Sequence, residues 1–267
     1  FIISTKIGRN SPDISKMFNF SYNDIIKSTY ESLDRLKLEY IDILFAHDVE
    51  FSLDQNVILT ETLPALKFLK DHGKTKNIGI SGYSLSCLKD IIVKSTIKID
   101  FVITYSRYTI FDDTLKNFLP FFEVSLSIID QKEQNVVVIN GSPTGMGLLT
   151  NSGPPCWHPA HRTLKDSCKL VVSEFEKYNL NVSEYAIKHA LNNQLIDVVL
   201  IGPKNLPELI NCCKASNQKL TPQEEQFINK VQNDYLRNLS LQVRSWEGVE
   251  VENYRKQLEE SNRCNST

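Results

Sequence analysis

A chain of 267 residues with 41% hydrophobic and 23% charged side chains has the composition of a globular protein, large enough for one barrel-sized domain or two ordinary ones. Its 30 basic and 32 acidic residues leave a formal net charge of -2, which gives no electrostatic basis for a nucleic-acid or anionic-membrane partner. No apolar run reaches the length of a membrane span, and the six cysteines lack the density or spacing of a disulfide scaffold or zinc site. A reduced, cytoplasmic protein without a structural metal is the expectation.

The chain opens in an apolar run, Phe1–Thr5, that reads as a strand met in mid-fold, so material upstream of Phe1 is expected. Ser21–Leu36 follows as a helix, with Ile25, Ile26, Tyr30, Leu33 and Leu36 at helical spacing. Ile41–Ala46 is the next strand, and Thr62–Asp71 a helix stopped by Gly73. Asn77–Ser81 and Phe101–Thr104 are strands on either side of a helix over Leu85–Lys94. The segment "FFEVSLSIIDQKEQN" is a long, weakly helical insert before the strand Val136–Ile139. "LTNSGPPCWHPAH" is a loop long enough to cover a substrate. Helices over Thr163–Tyr178 and Ser183–Asn193 lead to a last strand, Val198–Ile201. Thr221, Pro222 and Glu224 then mark a helix start, and the chain ends in a polar, frayed "EESNRCNST".

None of these strands alternates between polar and apolar residues, which is the pattern of a parallel sheet covered on both faces. Strands alternating with helices imply βαβ units, in a doubly wound sheet or a closed barrel. No G-x-G-x-x-G or Walker A sequence occurs, which favours the barrel, although six strands fall short of the eight that a (β/α)8 fold needs.

In such a barrel chemistry sits where strands end, and polar groups stand at those ends: Lys6, His47, Ser81, Tyr105, Ser142 and Gly202. A lysine closing an apolar strand is expected to be desolvated, and a neutral histidine in the same cavity can donate a hydrogen bond to a carbonyl oxygen. Together they suit polarising a carbonyl. Each also has a plainer reading, Lys6 as a strand-end lysine reaching solvent and His47 as a satisfied rim histidine. His72, His158, His161 and His189 fit no such pattern, and no G-x-S-x-G marks a serine nucleophile.

The stretches "SLDRLKLEYIDILFAHDVEF", "ETLPALKFLKDHGKTKNIGISGYS", "INGSPTGMGLLTNSGPPCWHPA" and "VVLIGPKNLPELI", in that order, resemble the aldo-keto reductase superfamily and within it the L-galactose dehydrogenase-like branch. The resemblance runs from Phe1 to about Leu239. It implies a (β/α)8 barrel over residues 1–239, N-terminally incomplete by its first two strands, with 240–267 a polar tail. It also implies an NAD- or NADP-dependent oxidation of an aldose at C1 by a monomeric enzyme. Of the family's four catalytic groups, the lysine matches Lys6 and the histidine His47. The aspartate and tyrosine have no counterpart here, since Tyr22 and Tyr30 lie on a helix, and Asp48 is not the matching acid. The cofactor positions that match are Ser81, Thr104, Ser142 and Pro143, with Gly202, Lys204 and Asn205 in the turn that holds the adenosine phosphate. Gly82, Gly141 and the pair Asn211-Cys212 depart from the family's usual residues. A chain short of two catalytic groups is expected to have low activity. The alternative is a non-catalytic binding or interaction protein on the same scaffold.

Overall fold

A computed structural model describes residues 1–123, 125–126 and 133–264. Two compact units divide the chain. One comprises Phe1–Ile103, Pro120–Val137 and Gly248–Thr267, the other Thr104–Leu119 and Val138–Glu247.

The first unit is built on strands β1 (Ser4–Ile7), β2 (Ile41–Ala46), β3 (Thr75–Ser81) and the first three residues of β4 (Phe101–Tyr105). Each pairs in parallel with the next, Thr5 beside Leu44, Leu44 beside Ile78, and Ile80 beside Val102. The absence of alternation has the expected cause: Ile41, Leu44, Phe45 and Ala46 are all buried, so both faces of β2 are covered. Helix α1 (Tyr22–Leu36) packs through Ile25, Thr29, Ser32 and Leu33. Tyr30 and Leu36, expected on its apolar stripe, are exposed, because the buried face is narrower than the spacing suggests.

The second helical segment starts earlier than the sequence implies. A single turn, α2 (Gln55–Val57), passes through π-helical Ile58–Thr62 into α3 (Leu63–Asp71). Pro64, which cannot donate to the preceding turn, stands where the π-helical stretch ends. Helix α4 covers Leu85–Lys94, capped by Ser84, whose hydroxyl accepts the Cys87 N–H. A short α5 (Leu119–Glu123) leads to the long insert, where β5 (Ser125–Leu126) and β6 (Glu133–Gln134) pair antiparallel. Val124 and residues 127–132 of that insert lie outside the described residues.

The second unit carries β7 (Val137–Gly141) and β8 (Val198–Leu200), parallel with Ile139 beside Val198. Its helices are α6 (Arg162–Lys177), α7 (Val182–Leu191), α8 (Leu206–Ser216), α9 (Pro222–Tyr235) and α10 (Leu241–Arg244). The helix start expected at Thr221 is a full capping box: its hydroxyl accepts the Glu224 N–H at 3.2 Å, and the Glu224 carboxylate accepts the Thr221 N–H at 2.7 Å. Thr221→Ala is expected to cost about 1 kcal/mol in a urea titration, and Thr221→Ser much less, since serine keeps the cap. The final helix, α11 (Val249–Cys264), belongs to the first unit. Most of the "EESNRCNST" expected to fray is therefore helical, anchored where Tyr254 meets the rings of Phe18 and Phe51 at 5.1 and 5.6 Å. Among the described residues no helix is long and apolar enough to cross a membrane.

Candidate functional site

The strand-end residues fall into two constellations, one in each unit. In the first, the register sets Ile7 beside Ala46 and Ala46 beside Ile80. Lys6, His47 and Ser81 thus mark the C-terminal ends of three adjacent parallel strands, the edge on which barrels carry chemistry. The His47 N–H donates to the Ile7 carbonyl at 2.9 Å, and the Ser81 hydroxyl donates to the Ala46 carbonyl at 3.3 Å. The end of β2 is therefore held from both neighbouring strands.

Beyond His47 the chain turns with Asp48 in the left-handed region, φ 54°, into one 3-10 turn, Val49–Phe51. This turn buries two carboxyls, Asp48 and Glu50. Arg9 Nη1 meets Asp48 Oδ2 at 3.2 Å, and His47 Nε2 stands 3.5 Å from Asp48 Oδ1. Burial, helped by the charges of Lys6 and Arg9, lowers the His47 pKa to about 4, so the ring is neutral at physiological pH. Burial raises Asp48 to about 6 against the pull of Arg9 and Lys6. Burial and the charge of Asp48 raise Glu50 to about 7, although Glu50 Oε1 accepts the Tyr83 N–H. Its other oxygen fills the space that any side chain at position 82 would need, which is why Gly82 stands there.

Lys6 differs from its expectation. It is exposed, because among the described residues β1 has a strand partner on one side, β2. Its side chain lines a cavity of about 210 Å³ that also includes Arg9, Asn10, Asp24, Lys27 and Arg35. Neither His47 nor any tyrosine is part of that lining.

In the second unit Thr104 is buried with its hydroxyl unpartnered, and Pro143 is buried too. Ser142 is half-buried at φ 51°; its N–H donates to the Leu200 carbonyl at 2.9 Å, and its hydroxyl accepts the Met146 N–H at 2.8 Å. Gly141 packs closely, since a Cβ there would lie 3.4 Å from both the Thr104 carbonyl and Tyr105 Cβ. Gly202, Lys204 and Asn205 are exposed in the turn before α8. Asn205 caps that helix, its Oδ1 accepting the Glu208 N–H at 2.9 Å. The Glu208 carboxylate folds back to accept the Lys204 N–H at 2.8 Å and the Asn205 amide at 3.1 Å. The helix end read as an anion site thus already holds an anion of the chain's own.

Arg9, Glu50 and Glu208 escape a reading by motif. Glu50 is the third acid of the stretch "YIDILFAHDVEF", after Asp42 and Asp48, but its burial depends on Gly82, 32 positions along the chain. The remaining histidines are structural. His158 is fixed between the Gly145 carbonyl and the Ala160 N–H, both at 3.1 Å, and His161 caps α6. His189 is half-buried and stacks on Tyr108, ring centroids 5.2 Å apart.

A family model described as "Aldo/keto reductase family" matches residues 1–233. L-galactose dehydrogenase of Arabidopsis thaliana is 39% identical over 213 residues, 78% of this chain and 61% of that protein. D-arabinose 1-dehydrogenase of Saccharomyces cerevisiae is 24% identical over 87% of this chain and 70% of its own length. Among solved structures, the holo form of an aldo-keto reductase of Bacillus halodurans superposes with a TM-score of 0.64 at 22% identity, over 91% of this chain and 75% of that one. Glycerol dehydrogenase of Gluconobacter oxydans gives 0.67 at 18%, over 90% and 74%. This chain thus spans less than two thirds of the plant relative's length. The structural likeness fixes the fold as that of the (β/α)8 barrels, of which these residues supply six strands.

Proposed function

The chain belongs to the aldo/keto reductase family, and from that premise we propose that it is an NAD(P)-dependent oxidoreductase acting on the CH–OH group of an aldose at C1. The observation that carries this reading is a neutral His47 at the end of β2, within reach of the charge that Lys6 carries near the end of the adjacent strand. Relatives named for the oxidation of L-galactose and D-arabinose support an aldose as substrate.

A nicotinamide cofactor bound here would supply the acceptor for the sugar's C1 hydrogen and its electron pair. The proton of the C1 hydroxyl would pass to water, and the chain's own residues would bind and orient the sugar. His47, uncharged, donates a hydrogen bond to the sugar oxygen without releasing a proton, and the Lys6 ammonium stabilises negative charge on that oxygen. Ser81 serves the nicotinamide amide, with Thr104, Ser142 and Pro143 as further cofactor contacts. Gly202, Lys204 and Asn205 hold the adenosine phosphate. The fit of that turn to a phosphate is supported by the donors it already offers a carboxylate, the Lys204 N–H and the Asn205 amide.

Residues 1–267 supply no counterpart of the aspartate and tyrosine of the family's chemistry. Proton transfer by a placed side chain contributes roughly 10²–10⁴-fold. The polypeptide 1–267 is therefore expected to bind reduced nicotinamide dinucleotide, seen as saturable quenching of protein fluorescence, with aldose-dependent reduction of NAD(P) below detection. Absence of saturable binding by either NADH or NADPH overturns the cofactor reading and leaves the non-catalytic alternative. Turnover that survives purification and is abolished by Lys6→Met overturns the expectation of low activity.

A further inference from the structure

We propose that Asp48 is a positioning residue for His47: its carboxylate, braced by Arg9, keeps the ring proton on Nε2 and so selects the nitrogen that donates to a substrate oxygen. The inference rests on the reading of His47 given above, but it is testable without cofactor or sugar.

The geometry assigns the two carboxylate oxygens different partners. Oδ2 takes Arg9 Nη1 at 3.2 Å, and Oδ1 faces His47 Nε2 at 3.5 Å. A separation of 3.5 Å is too long for a strong hydrogen bond. It is short enough for the carboxylate to favour a proton on the facing nitrogen, while leaving that N–H free to turn towards a ligand. A neutral imidazole carries one N–H, and the partner of either nitrogen decides where it sits.

Both residues are held in place. The His47 backbone is tied to Ile7, and the Asp48 carbonyl accepts the Phe51 N–H at 2.9 Å. Asp48 itself is buried in a left-handed conformation, which a side chain tolerates where its surroundings fix it. The charged and titratable groups facing the pair are Lys6 and Arg9 from β1 and the loop after it, and Glu50 from the same turn. Burial, helped by the two cations, opposes a charged imidazole, so His47 stays neutral and only the position of its proton is left to decide. Of the two carboxyls, Asp48 is the one in contact with the ring.

The test is ¹⁵N NMR of histidine-labelled 1–267, in which the two neutral tautomers give distinct ring shifts. Wild type near pH 8 is expected to show His47 as Nε2–H, favoured roughly tenfold. As the pH falls through about 6, where Asp48 takes up a proton, that preference weakens and the shifts step. In Asp48→Asn the step disappears and the preference drops several-fold. Arg9→Gln, which leaves the carboxylate without its cation, moves the step to higher pH and serves if Asp48→Asn does not fold. A wild-type His47 protonated on Nδ1, or a step at the same pH in wild type and both variants, overturns the proposal. Failure to bind cofactor would sink the functional reading while leaving these spectra unchanged.

Discussion

Replacing Phe45 with alanine is expected to destabilise the protein by about 3–5 kcal/mol, seen as a lower urea midpoint with an unchanged slope. Phe45 is 1% exposed, and its ring meets that of Phe101 edge-on at 6.3 Å. The opposite strand has already made room for it. A Cβ on Gly79 would stand 2.5 Å from the Phe45 ring and 2.7 Å from the Phe101 carbonyl oxygen. Gly79→Ala therefore overfills the same spot, at a cost of about 1–3 kcal/mol. The two changes are coupled. In the Phe45→Ala background the ring clash is gone but the Phe101 carbonyl stays, so Gly79→Ala should cost less there without becoming free. Strict additivity in the double variant would show that the packing has been misread.

Glu50→Gln is expected to gain about 3 kcal/mol on wild type as the pH rises from about 4.5 to about 8. The Glu50 carboxyl is raised from an ordinary 4.5 to about 7, chiefly by burial. Between those values the folded protein holds a proton that the unfolded chain has released, so wild-type stability falls as the pH rises through that window. Glutamine resembles the protonated acid and has no proton to lose, so the two proteins should be similar near pH 4.5 and diverge above it. His47 and His189, both lowered to about 4 by burial, act in the opposite sense, because acid favours the unfolded chain in which they can charge. Both are present in wild type and variant alike and cancel in the difference. Denaturant titrations across the pH range that run parallel for the two proteins would refute the argument.

Much of the fold was legible because burial on both faces writes itself into composition. Ile41–Ala46 and Leu85–Lys94 form as the strand and helix that their residues imply, with the same ends. Ends were misplaced where a cap or a pairing partner decides them, as at β1, which runs to Ile7 because Ile7 pairs with Ala46. Helix α11 did have a signal, with Val251, Tyr254, Leu258 and Ser261 as its less exposed positions, but so polar a helix shows its inner face only once Phe18 and Phe51 are in place. Lys6 and His47 could be located at strand ends, yet their environments could not. Exposure of Lys6 depends on which edge of β1 is paired, and the low pKa of His47 depends chiefly on how deeply the fold buries the ring. Periodicity records which way a residue faces, not what stands opposite it.

The carboxylate that Glu208 lays across the start of α8 makes binding there an exchange rather than an addition. An arriving phosphate inherits the Lys204 N–H and the Asn205 amide only as Glu208 gives them up. Its net gain is the difference between two sets of hydrogen bonds, reduced further by repulsion if the displaced acid stays close. Affinity at this turn is thus capped by the chain itself, and a ligand held there is also one that an intramolecular competitor, always at hand, can evict.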